Sequence, residues 1–148
     1  MNNFKKTEQL LYNYTRFKKT LKYKKDYIKF LKENGLQETS KNFVGTKKPE
    51  NNKDKTDILD DLITKLEKDI TYIEKHINFI NLALDNIRDD TYYPLIDLKY
   101  FHGKTMEYIA EFFNISVTTT YKQRDRLINI VKNILFTEDA IKEIFSDI

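Results

Sequence analysis

The chain has no cysteine. That excludes disulfides and cysteine-ligated zinc, and it fits a reducing, cytoplasmic setting. It has only three glycines and two prolines against 33% charged residues. Sheets depend on turns rich in glycine and proline, so this composition predicts an all-α protein. No apolar run approaches the ~18–20 residues that a membrane span requires. The opening "MNNFKKTEQLL" lacks the apolar core of a signal peptide, so no membrane partner is expected. The two histidines, His76 and His102, stand apart from any carboxylate cluster, and neither a metal nor another cofactor is expected. There is no glycine-rich phosphate loop. Ser40, Ser116 and Ser146 lack the neighbours of a nucleophile. Asp60–Asp61 and Asp89–Asp90 are sequence neighbours, and neighbours on a helix do not face each other. An enzyme is therefore not expected.

What is present is charge of uneven sign and long apolar periodicity. The formal net charge is +3. Residues 1–56 hold 15 Lys/Arg against 6 Asp/Glu, residues 57–90 hold 4 against 9, and residues 91–148 hold 7 against 8. A basic first segment followed by an acidic second one suggests that the two face each other. Leu10, Tyr14, Phe17, Leu21, Lys24, Ile28 and Leu31 recur at helical spacing, which predicts one long helix over about 5–34 with Lys24 as the polar misfit. Lys24 is expected to snorkel or to mark register. Gly35 is the expected stop. Residues 36–56 show no periodicity and read as a polar linker.

A second helix is predicted over about 57–87. Leu59, Leu62, Leu66, Ile70, Ile73, Ile77, Ile80, Leu84 and Ile87 form the strongest periodic signal in the chain. Such a stripe needs a partner. Either the first helix folds back on it, or two chains pair through it. The charge asymmetry favours folding back. A hairpin that also dimerises satisfies both, with Tyr72, Phe79 and Leu82 lying off the main seam. The lysines at 18, 19, 22, 24, 25 and 29 read as a solvated face pairing with Glu67, Asp69 and Glu74, or as auxiliary contacts to phosphates. Residues 1–88 and 89–148 are the two expected domains.

The second domain opens with Asp89, Asp90 and Thr91 as capping candidates and Pro94 in a first turn. Leu95, Leu98 and Phe101 are its expected inner face, and Gly103 its end. A helix over 106–112 follows, with Thr105 as N-cap. The turn spans 113–115, and Asn114 is placed where a left-handed backbone is needed. Ser116 caps a last main helix running to about 136, with Tyr121, Leu127, Ile128, Val131 and Leu135 inward. Ile109, Ala110, Phe113 and Ile115 point inward from the preceding elements. "TEDAIKEIF" reads as a short tail helix.

The spacing from Thr105 to Leu127 suits a DNA-reading helix-turn-helix. Its second helix would expose Val117, Thr118, Thr119, Lys122, Gln123 and Arg126. Threonine methyls can meet thymine methyls, Gln123 can pair bidentately with adenine, and Arg126 can reach guanine or phosphate. Lys104, Thr105, Ser116 and Tyr121 are assigned supporting phosphate contacts. Residues 99–132 carry six basic against three acidic side chains, a modest footprint for phosphates. Threonine is a mediocre helix former. The run Thr118–Thr119–Thr120 therefore reads as base-contacting surface, or else as a solvated first turn.

"YYPLIDLKYFHGKTMEYIAEFFNISVTTTYKQRDRLI" resembles the C-terminal part of the ArpU/RinA-type phage transcriptional regulators and, through them, region 4 of bacterial sigma factors. The matching pattern is an aromatic pair at Tyr92–Tyr93, an apolar helix at Leu95–Leu98, then Tyr100 to Thr105, Glu107 to Glu111, Phe113 to Ser116 and Thr119 to Arg126. The quoted stretch covers about a quarter of the chain. The opening helix is similar mainly in composition. Phe113 replaces the usual leucine, and Thr120 stands where a valine-like residue is common. The resemblance implies double-stranded promoter DNA as partner, phage-type transcription activation, and RNA polymerase as a further partner. A homodimer through the long helices is expected. Rival readings are a small-terminase-like packaging protein and a polymerase-docking module that never touches DNA.

Overall fold

The helices begin and end where side chains or special backbone angles can meet their unpaired groups. Asp54 accepts the Asp57 N–H at 2.9 Å. The second long helix therefore starts at Lys55, inside the segment read as linker. Gly35, at φ +68°, ends the first, and its N–H closes on the Leu31 carbonyl at 2.7 Å. The computed structural model describes residues 2–35 and 54–137. The remainder of the expected linker (36–53) and the expected tail helix lie outside the described residues. Among these, all regular structure is helical: α1 Asn3–Asn34, α2 Lys55–Asp85, α3 Tyr93–Ile96, α4 Met106–Phe113 and α5 Val117–Leu135, with a π-helical turn Asp97–Phe101 continuing α3. None of these helices is long and apolar enough to cross a membrane.

Contacts group the chain into two units, Lys19–Glu74 and Met1–Lys18 with Lys75–Ile148. Both long helices contribute to both. In Lys19–Glu74 the two helices run antiparallel around a small core of Ile28, Leu31 and Leu66. Tyr27, Leu59, Leu62, Ile63 and Ile70 are packed half-buried against it. Lys24 meets Asp69 at 2.8 Å, Lys25 meets Glu74 at 3.8 Å and Lys32 meets Glu67 at 4.0 Å. The seam lysine is thus partnered at the edge of the interface. Its ammonium holds the Asp69 carboxyl below the usual carboxylate range, partly opposed by desolvation.

In the other unit the buried residues come from every element. Thr7, Leu11 and Tyr14 face inward from α1, and Ile77, Ile80, Ala83, Leu84 and Ile87 from α2 and its end. The expected Leu10 is only half-buried, because the inward row runs through Thr7 and Leu11. Thr7 fits an apolar row because its hydroxyl donates to the Asn3 carbonyl one turn back, at 2.8 Å.

The start of α3 differs from the capping expected at 89–91. Tyr92 is the N-cap and no side chain caps the helix, while Pro94 occupies its first turn. Asp90 instead accepts the Tyr92 N–H at 2.9 Å. The inner face also differs. Leu95, Ile96 and Tyr100 are buried, and Leu98 and Phe101 are half-buried. The cause is the π turn, closed by His102 N–H to the Asp97 carbonyl at 3.1 Å. A five-residue repeat carries an extra residue and rotates the following face. Gly103, at φ +66°, then ends the element as expected.

Candidate nucleic-acid interface

Helix α4 is built as its sequence predicts. The Thr105 side chain accepts the Tyr108 N–H at 3.1 Å, and Met106, Ile109 and Ala110 face the core. Asn114, at φ 55° and ψ 49°, takes the left-handed conformation and closes on the Ala110 and Glu111 carbonyls. The next N–H, of Ile115, also reaches Ala110 at 3.0 Å. Phe113 and Ile115 are half-buried. The turn takes three residues, 114–116, and the chain enters α5 through Ser116, whose hydroxyl accepts the Thr119 N–H at 3.0 Å.

The three threonines then take three different roles. Thr118 is exposed. Thr119, half-buried, meets the Ser116 hydroxyl at 2.9 Å. Thr120 is fully buried, and its hydroxyl donates to the Ser116 carbonyl at 2.9 Å. The inward row of α5 is therefore Thr120, Leu127, Ile128, Val131 and Leu135, and Tyr121 is 42% exposed. Tyr121 corrects an expectation. One residue along a helix is about a 100° turn, and the row passes through Thr120 once its hydroxyl is satisfied locally.

Among the candidate contacts, Val117, Thr118 and Lys122 present exposed side chains at the N-terminal end of α5. Lys104 is exposed, with its ammonium 4.9 Å from the centre of the Tyr108 ring. Thr105 and Ser116 are exposed but already engaged as caps. Gln123 is half-buried and Arg126 exposed; the Arg126 guanidinium and the Gln123 amide oxygen are committed to other groups. Arg126 Nη1 and Nη2 donate to the two Asp90 carboxylate oxygens at 2.7 and 2.8 Å. Arg126 Nε donates to Gln123 Oε1 at 2.9 Å. These Arg126 bonds, chiefly, hold the Asp90 carboxyl below the usual carboxylate range, against the opposing effect of burial, with the Tyr92 N–H assisting.

Two residues outside the sequence-based set organise this helix. Asp90 is the first. Arg124, on the inner side of α5, is the second: it lies 5.0 Å from the Tyr121 ring centre and 5.5 Å from that of Phe4. It also pairs with Asp125 at 2.7 Å and approaches Glu8 at 3.7 Å. The Tyr100 hydroxyl donates to the same Glu8 oxygen at 2.6 Å. Burial, reinforced by Glu8, pushes the Tyr100 hydroxyl far above the usual tyrosine range. The signal for Arg124 was its place one turn beyond Thr120 and one turn before Ile128. No local signal marked Asp90, because its partner lies 36 residues away.

No group of three or more potential metal ligands occurs among the described residues. His102 instead faces Asp97 at 3.5 Å. His76 is buried, its ring 6.1 Å from that of Phe17. Comparison of the chain with known protein families, with curated proteins and with solved structures gives no match.

Proposed function

We propose that the chain is a sequence-specific double-stranded DNA-binding protein that regulates transcription, with α4 and α5 acting as a helix-turn-helix of the sigma region-4-like kind found in ArpU/RinA-type phage regulators. The observation that supports this best is the tight junction at Asn114 and Ser116. It leaves Val117, Thr118 and Lys122 exposed at the N-terminus of a 19-residue helix, where base contacts concentrate in this motif. Lys122 serves phosphates, and Thr118 and Val117 offer methyl contacts to thymine. Promoter activation, RNA polymerase contact and pairing of two copies through the long helices belong to the same proposal.

The test is selection of bound fragments from a random-sequence DNA library, with a Thr118/Lys122/Gln123 triple-alanine variant as control. The expected result is a defined motif that the variant fails to enrich. Equal behaviour of the two proteins would reject the proposal.

A second reading has one observation in its favour. Tyr108 and Phe112 are 47% and 58% exposed and lie one turn apart on α4, a placement suited to docking on a protein. Loss of polymerase binding in a Tyr108/Phe112 double-alanine variant, with no DNA motif in the wild type, would favour that reading.

A further inference from the structure

We infer that Asp90 is a specificity-determining positioning residue: acting through Arg126, it fixes the polarity of the Gln123 amide so that Gln123 presents hydrogen-bond donors to guanine rather than a donor–acceptor pair to adenine. This rests on the DNA-binding reading above and deepens it. The argument begins with what each group can do. A guanidinium only donates, and a carboxylate only accepts. Asp90 engages both terminal nitrogens of Arg126, a bidentate arrangement that fixes the plane of the guanidinium. Its remaining face then turns Nε toward Gln123, at 2.9 Å.

Because Arg126 has nothing to accept with, the amide atom nearest it must be the oxygen. Gln123 is thereby set with Oε1 toward Arg126, leaving its NH2 group to point away from that contact. Asp90 itself is oriented by the Tyr92 N–H. The chain of bonds therefore runs from the α2–α3 connection, through Asp90 and Arg126, to Gln123 on the candidate reading face of α5.

The major-groove code gives the consequence. Adenine shows N7 as acceptor and N6 as donor, so bidentate pairing needs both the NH2 and the carbonyl of a glutamine. Guanine shows two acceptors, N7 and O6. An amide whose oxygen is held by Arg126 suits guanine, tolerates the lone O4 acceptor of thymine and is repelled by the N4 donor of cytosine. Arg126, with its fork occupied, acts as a strut and is not itself a base reader.

Two measurements on the full-length protein test this. The first is fragment selection with wild type, Gln123→Ala, Arg126→Ala and Asp90→Asn. Gln123→Ala identifies the base pair read by Gln123. The Asn variant keeps an oxygen for the Tyr92 N–H, and melting by circular dichroism confirms its fold. Wild type is expected to prefer guanine over adenine there by about tenfold. Asp90→Asn and Arg126→Ala are expected to relax that one position to within about threefold and to leave the other positions unchanged. A purely structural role would weaken all positions together. Adenine preference in the wild type, or an unchanged preference in Asp90→Asn, overturns the inference while leaving DNA binding intact.

The second measurement needs no DNA: the Arg126 Nε–H resonance in the free protein. Protection in wild type that is lost in Asp90→Asn is expected. An unprotected resonance in wild type overturns the inference by itself. No motif from any of the four proteins overturns the DNA reading, and this inference with it.

Discussion

Helix α2 carries one unbroken apolar stripe, yet its two halves meet different fates. In Lys19–Glu74, Leu59, Leu62, Ile70 and Ile73 are only half-buried, and Leu66 alone is buried. In the other unit, Ile77, Ile80, Leu84 and Ile87 are at most 7% exposed. The residue types and the spacing are the same. The difference is what they pack against. A pair of helices can cover one side of a stripe, whereas a unit to which every element contributes buried side chains can enclose it. Periodicity therefore reports which face is inward and says nothing of how deeply it is buried.

The largest test of that contrast is a pair of truncations. Leu84→Ala removes a side chain that is 1% exposed and is expected to cost about 2–5 kcal/mol, including the cavity it leaves. Leu62→Ala removes a half-buried one and is expected to cost roughly 1 kcal/mol, since less surface returns to water and the site can relax. Chemical denaturation followed by hydrogen exchange measures both. Equal costs would break the comparison and require an additional partner over Leu62.

Polar groups sharpen it. Tyr100→Phe deletes a hydroxyl that donates to Glu8 in the enclosed unit. The expected cost is about 1.5–3 kcal/mol, typical of a hydrogen bond to a charged group. A variant as stable as wild type would mean that the Arg124 guanidinium satisfies Glu8 alone. Next in size is Ser116→Ala, expected to cost about 1 kcal/mol as a lost N-cap. Exchange should speed at the first amides of α5, Thr119 above all, and remain unchanged in α4, whose own cap is Thr105. Equal acceleration in both helices would show that α4 and α5 open together.

These side chains also mark what was legible in advance. The caps Thr105 and Ser116, the left-handed Asn114 and the stop glycines Gly35 and Gly103 could be read locally, because each depends on neighbours within four residues. The inward rows of α1 and α5 are misplaced where a threonine sits in them. Thr7 and Thr120 are fully buried, and both return their hydroxyls to a carbonyl four residues back. A threonine in a helical core row is better counted with valine than with serine. The π turn at Asp97–Phe101 left no readable trace, since nothing in "DLKYF" marks an extra residue. The Asp90–Arg126 pair was invisible for a different reason: both residues lie on surfaces where charge is ordinary, and only the fold brings them together. Legibility therefore fails for two reasons: local features such as a buried threonine or a π turn carry no residue signature of their own, and pairs such as Asp90–Arg126 are brought together only by the fold.

Acid distinguishes the units through different groups. Burial, chiefly, and the nearby Lys75 charge hold His76 below the usual histidine range. The folded state then binds a proton less readily than the unfolded chain. That contribution to stability is complete above about pH 6.5, the unfolded value, and is lost as pH falls through the folded value. A melting midpoint that declines from pH 7.5 to 5.5, and declines less in His76→Gln, is the expected outcome. An identical decline in both proteins would assign the effect elsewhere.

The smallest expected effect belongs to the other unit. Lys24 and Asp69 form a 2.8 Å pair, but their side chains are 23% and 39% exposed. Water reaches both charges and screens their attraction, so the contact is expected to contribute within about 1 kcal/mol. Lys24→Met keeps most of the stem that lies along the seam and removes the charge, while Asp69 stays solvated. Added apolar cover and the lost ion pair should nearly cancel. At acid pH Lys24→Met should become the more stable of the two, by within about 1 kcal/mol, because the depressed Asp69 pKa contributes stability to the wild type only above the unfolded carboxylate range, and that contribution disappears as Asp69 protonates while the added apolar cover of the variant remains. A loss well above 1 kcal/mol at neutral pH, absent at pH 3, would instead show that the ion pair and not the thin apolar layer holds the two helices of Lys19–Glu74 together.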